Sequence, residues 1–335
     1  MSGYDTITFP NEAAAQKQGN TTNVLVNNNS NDTITKANNT TNNLINGGIS
    51  LLIVGRYNEA ISLFDKVLAM DPTNTLALTN KGTTLAYLKK YDESVSLFDK
   101  ALSLEPNNTG ILDSKGNVLV SLQKYNEAIS LFDKVLAVDP SDVKTLTNKG
   151  NVLDTLGKHQ EAIQYYDKAL AIEPNDVVAL EDKGSALDLL GKYNEAIVYY
   201  DKALTLDPRN VDVLYNKGVA LGKLGDYTQA IPYYDQALAI EPNYTGALIG
   251  KGFALHQLGR KSEAIVYYDK ALAIDPTNTD TLTNKGLALA VLHKYNESIK
   301  YYDKALAIKP NLQYAINGKR LSLEALNHTQ FKQKN

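Results

Sequence analysis

The chain has 335 residues, 34 of them basic and 37 acidic, a formal charge of −3, and no cysteine. Thiolate chemistry, disulfides and soft cysteine metal sites are excluded, and the near-balanced charge offers no basic stripe for a long nucleic-acid footprint. No stretch approaches the roughly 20 apolar residues that span a bilayer, and no basic region followed by an apolar run opens the chain, so a cytoplasmic location without membrane or nucleic-acid partners is expected.

Residues 1–40 hold nine asparagines, many threonines and five charged side chains. Such a composition predicts a mostly irregular segment. Its candidate elements are a short helix at Asn11–Lys17 and extended pieces at Thr6–Phe9 and Asn23–Val26.

From Thr41 the chain becomes periodic. Proline returns every 34 residues, from Pro72 through Pro174 to Pro310, and one pattern repeats eight times between Thr41 and Leu312. That period is the mark of stacked helical hairpins. With Thr41, Thr75, Thr109, Val143, Val177, Val211, Thr245 and Thr279 as position 1, leucine fills positions 4 and 11 of every copy, and glycine fills position 8. These positions share one helix face. A mid-helix glycine costs about 1 kcal/mol against alanine, so its recurrence predicts a second helix crossing too close for a Cβ. That second helix is small at position 20 (Ala60, Ser94, Ala128) and aromatic at position 24, Phe in the first three copies and Tyr from Tyr166 onward. The aromatic stripe has the phase of an inter-helix core rather than of a cofactor box.

Large position 4, glycine 8, small 20, aromatic 24, small 27 and proline 32 together resemble the tetratricopeptide repeat family over residues 41–312. The departures are lysine at position 7 in seven copies, Lys81 to Lys285, and Arg320 where a ninth position-8 glycine would fall. The resemblance implies an all-α fold, a right-handed alpha-alpha superhelix of antiparallel helix pairs whose first helices line the inner wall. The position-7 lysines are expected to pair either with helix-end acids such as Asp71, Glu105 and Asp139 or with the position-25 aspartates Asp99, Asp133 and Asp167.

Gly55, Gly157, Gly191, Gly225 and Gly259 at position 15 predict left-handed caps, and Lys89, Gln123 and His293 take that place elsewhere. The residue before each recurring proline is pushed out of helical geometry, which ends the second helix. Pro232 falls in the first turns of a second helix, where several amides are unpaired anyway, so little bending is expected. After Pro310, residues 313–335 read as a closing helix to about residue 328 and a polar tail.

Nothing points to catalysis. The four histidines, His159, His256, His293 and His328, occur at unrelated places with no HExxH pair, and the GKY and GKH strings lack a phosphate loop. No enzyme activity, metal or cofactor is expected.

The copies differ at positions 2, 5, 6, 9, 12 and 13, which the resemblance places on the inner wall. Position 6 carries asparagine in the first copy, Asn46, and in every even-numbered copy, Asn80, Asn148, Asn216 and Asn284. An asparagine amide both donates and accepts, so such a row can pair with the backbone of an extended peptide. In so Asn-rich a chain, wet surface asparagines would read the same way. Asp113, Asp154, Glu181, Asp182, Asp188, Asp212 and Asp280 lie on that wall against Lys144 and Lys223. A concave wall of one sign attracts the other. The expected partner is therefore a protein or peptide segment that is extended and basic or neutral polar. Asp113 stands where a carboxylate clamp of the family would need lysine, which argues against capture of an acidic chain end. The first copy instead lines its wall with Ile45, Ile49, Leu52 and Ile53, an apolar patch asking for cover from the tail or from another chain. Two functions remain open: a non-catalytic scaffold that holds a peptide in its groove, and a solenoid that assembles into homo-oligomers through its ends or N-terminal segment.

Overall fold

In a computed structural model the backbone is described for residues 31–334, and it falls into two compact units that adjoin in sequence at Ile172 and Glu173. The first holds α1 (Asn31–Ile53), α2 (Tyr57–Met70), α3 (Thr75–Tyr87), α4 (Tyr91–Leu104), α5 (Thr109–Ser121), α6 (Tyr125–Val138), α7 (Val143–Thr155) and α8 (His159–Ile172). The second holds α9 (Val177–Leu189), α10 (Tyr193–Leu206), α11 (Val211–Lys223), α12 (Tyr227–Ile240), α13 (Thr245–Gln257), α14 (Lys261–Ile274), α15 (Thr279–Val291), α16 (Tyr295–Ile308) and α17 (Gln313–Lys334). Each repeat is one helix pair, and within a unit its second helix packs on the first helix of the next repeat. There is no strand among the described residues.

Local signals place the helix ends. The first helices start on an Asn or Asp at position 34, where Asn74, Asn108, Asp142, Asp176, Asn210 and Asn278 each accept a hydrogen bond from a first-turn amide. They stop at position 15 with a positive φ, 75° to 85° at the five glycines and 59° to 60° at Lys89, Gln123 and His293. Paired bonds such as Lys158 N to Leu153 O and Gly157 N to Asp154 O, both 2.9 Å, close these ends as Schellman motifs.

The core glycines behave as their spacing predicts. A Cβ on Gly150 would stand 2.5 Å from the Tyr166 ring, and one on Gly218 2.6 Å from Tyr234. The position-24 rings and the position-20 alanines are buried throughout.

Of the two acid sets open to the position-7 lysines, the fold selects position 25 of the preceding repeat. Lys81 pairs with Asp65 at 2.6 Å and Lys115 with Asp99 at 2.5 Å, while Lys149, Lys217, Lys251 and Lys285 pair with Asp133, Asp201, Asp235 and Asp269. From the fourth repeat on, leucine at position 23 becomes tyrosine, and the lysine gains that ring: Lys217 Nζ donates to Tyr233 Oη at 2.7 Å. Burial alone would lower Lys217, but Asp201 and Tyr233 outweigh it and raise the lysine above its usual range. The aspartates stay about half exposed, so each pair contributes less than about 1 kcal/mol.

Two boundaries and one patch differ from the sequence expectation. Helix α1 starts at Asn31, inside the segment read as irregular, because no glycine or proline interrupts residues 31–46 and the helix that packs through Leu44 and Ile45 propagates backward. Helix α17 continues to Lys334 rather than stopping near 328. The expected elements at Asn11–Lys17, Thr6–Phe9 and Asn23–Val26 lie outside the described residues. Ile45 is no part of a bare wall: it is 3% exposed, packed against Val67 and Ala77. Ile49 and Leu52 are half-buried, leaving Ile53 exposed beside Val54.

Candidate ligand-binding wall

The variable faces of the first helices form a different surface in each unit. In the first unit the polar side chains around Asp113 satisfy one another, although the buried Thr147 hydroxyl on α7 has no hydrogen bond and Asn46 on α1 is exposed. Asp113 on α5 is buried, its Oδ2 2.8 Å from Lys144 Nζ on α7. Asn148 spends both amide hydrogens inside the protein, donating to Asp113 Oδ1 at 3.2 Å and Asn117 Oδ1 at 3.1 Å. Asn117 in turn donates to Asp113 Oδ2 at 3.3 Å. The chain's own carboxylate thus occupies the asparagine pair. Asp154, also buried, lies 2.6 Å from His159 Nδ1, and Asn80 donates back to the Leu76 carbonyl at 2.8 Å.

Position 5 accounts for part of this. Its residue points along the seam toward the next first helix instead of into open groove, which is why Asp113 meets α7. Glu181 on α9 does the same toward α11, where Asn210 Nδ2 donates to its Oε2 at 3.3 Å. Burial, and then the nearby Asp212 charge, push the Glu181 carboxyl up to about 7.

The second unit leaves more of its wall unsatisfied. Asn216 on α11 and Asn284 on α15 are half-exposed, and their side-chain amides bond to no described residue. Asp212 is exposed and accepts a 2.7 Å bond from Tyr244 Oη, while Asp280 is exposed at the start of α15. Asp182 is half-buried on α9. Asp188 is paired: its Oδ2 lies 2.5 Å from Lys223 Nζ, and its buried Oδ1 has no hydrogen bond. Both lysines of the wall are therefore consumed by aspartates, one in each unit.

Two groups on this wall escaped the sequence reading. Tyr244 sits where the earlier repeats carry a capping Asn or Asp, α13 has no side-chain cap, and its hydroxyl reaches Asp212 instead. Its departure from the position-34 pattern was the available signal. Tyr215, packed edge-on to Tyr244 with ring centroids 5.3 Å apart, gave none.

Among the described residues no group of three or more His, Asp or Glu side chains could hold a metal ion, and no helix is long and apolar enough to cross a membrane.

Family models for the tetratricopeptide repeat match residues 143–176, 211–244, 246–278 and 279–312, with further repeat models over 165–198 and 184–225. The chain belongs to the tetratricopeptide repeat family. A model for subunit 3 of the anaphase-promoting complex matches residues 54–135. No curated protein matches significantly. Among solved structures, the Cut9–Hcn1 hetero-tetramer of the anaphase-promoting complex aligns at TM-score 0.61 and 19% identity over 84% of this chain and 55% of its own. A tetratricopeptide repeat protein from Parabacteroides merdae aligns at TM-score 0.59 and 18% identity over 75% and 99%. YrrB, described as a TPR protein with an unusual peptide-binding site, gives 28% identity over 56% and 97% at TM-score 0.49. The fold is a repeat solenoid, and a tetratricopeptide repeat solenoid implies a protein-interaction scaffold.

Proposed function

We propose that the chain is a non-catalytic scaffold whose second unit holds an extended, basic or neutral polar segment of a partner protein. The observation that carries this reading is the pair of half-exposed amides on Asn216 and Asn284, without a partner among the described residues, on a wall where Asp212 and Asp280 are exposed. An amide without an internal partner pairs with a peptide backbone without first breaking a bond. Asp182 extends the same sign of charge onto α9, Glu181 does so only in part because its carboxyl is pushed up to about 7, and Asp188 contributes less because Lys223 neutralises it. In the first unit Asn148, Asp113 and Asp154 would have to give up internal bonds to take part, and Asn80 has one of its two amide hydrogens committed to the Leu76 carbonyl.

Panning a random 12-residue peptide display library on the full chain tests the reading. Selected sequences should be rich in lysine and arginine, and Asn216→Ala with Asn284→Ala should weaken them about tenfold. No enrichment, or enrichment indifferent to that double change, overturns it.

Self-assembly is a second reading, favoured by the exposed Ile53 and Val54 at the end of α1. Light scattering across a concentration series decides it, since growth in mass that Ile53→Ser with Val54→Ser abolishes supports assembly and a constant monomer mass defeats it.

A further inference from the structure

The row at position 9 changes character along the second unit: Ser185 on α9 gives way to Val219 on α11, Phe253 on α13, Leu287 on α15 and Leu321 on α17. The last three are 41%, 44% and 56% exposed. Each of these helices touches the next in the series, so the row is continuous. Asp212 and Asp280 lie seven residues before Val219 and Leu287, two turns away on the same helix faces, and both are exposed. An apolar line flanked by carboxylates is thus built into the wall.

We infer that this line receives the apolar edge of an extended, basic partner segment whose apolar side chains recur at every third residue. The inference rests on the groove reading above and specifies its ligand. Packed helices stand about 8–10 Å apart, and an extended chain advances about 3.1–3.3 Å per residue, so about three residues cross one helix interval. In a β-strand the third residue turns to the opposite face. In a polyproline II helix, with three residues per turn, every third side chain returns to the same edge. That conformation makes no internal hydrogen bonds, so its backbone stays available to Asn216 and Asn284. The exposed Asp212 and Asp280 make lysine or arginine the complementary choice between the apolar positions, and an acidic segment is repelled.

The test uses the full chain and three synthetic 12-residue peptides: four copies of Leu-Lys-Pro, the same composition with its leucines irregularly spaced, and four copies of Leu-Glu-Pro. By calorimetry the regular basic peptide should bind at least tenfold tighter than the irregular one, and the acidic peptide should not bind. Phe253→Ser with Leu287→Ser, both at exposed side chains, should erase the difference while circular dichroism stays unchanged. Equal affinities for the two basic peptides, or a difference that survives the double serine variant, overturn the register. If equal affinities both fall with Asn216→Ala and Asn284→Ala, the register fails while the groove reading survives. If no peptide binds, the inference is wrong.

Discussion

The walls of the two units are made from the same helix positions, yet the face of α5 and α7 has closed on itself and that of α11 and α15 has not. Asp113, Lys144, Asn117 and Asn148 exchange hydrogen bonds across α5 and α7. The corresponding face of α11 and α15 leaves two amides and two aspartate side chains toward solvent. A repeat scaffold can therefore spend a polar wall on its own stability or keep it for a ligand, without changing the core that supports either.

The largest way to break that comparison is to remove the hub of the closed wall. Asp113→Leu should strand Lys144 and Asn148 and cost about 3 kcal/mol in urea unfolding, whereas Asp280→Leu at the open wall should change stability by less than about 0.5 kcal/mol. Equal costs would mean that the two walls do not differ.

Next comes pH. The Glu181 carboxyl is raised to about 7, above its unfolded value, so the folded chain holds the extra proton. The stability this group contributes is complete below about pH 4.5 and is lost as pH rises through about 7, on the order of 3 kcal/mol. His256 acts oppositely, since burial and then Lys261 lower it, and its contribution fades as pH falls below about 6.5. The difference between the wild type and Glu181→Gln in thermal melts at pH 5 and pH 8 isolates the glutamate, and a pH-independent difference contradicts the assignment.

Core changes should be blind to the comparison. Gly116→Ala and Gly218→Ala each push a Cβ 2.6 Å from an aromatic ring, so each should cost about 1–2 kcal/mol, the same in both units. A smaller effect than these core changes belongs to the lysine ladder, where Lys285→Met should cost less than about 1 kcal/mol, and added salt should shrink that cost.

The fold was legible because proline, glycine and leucine each report a local constraint that repeats with the same spacing eight times. The choice of lysine partner was only half legible: two acids per repeat were available, and the sixteen-residue offset that unites Lys217 with Asp201 emerges only once the helices cross. The site was least legible. Asn148 and Asn216 occupy the same position, but whether an amide is free depends on a residue more than thirty positions away, such as Asp113 for Asn148. The patch at Ile45 was misread for a related reason, since position 5 turns into the seam between first helices and no single repeat reveals it.

Photo-crosslinking tests the central contrast most directly. A panned peptide carrying benzoylphenylalanine is irradiated on the full chain and the adducts are mapped by mass spectrometry. Adducts on the first helices α11, α13, α15 and α17, lost with Asn216→Ala and Asn284→Ala, are the expected result; adducts on α3, α5 and α7, or on the second helices, would contradict it.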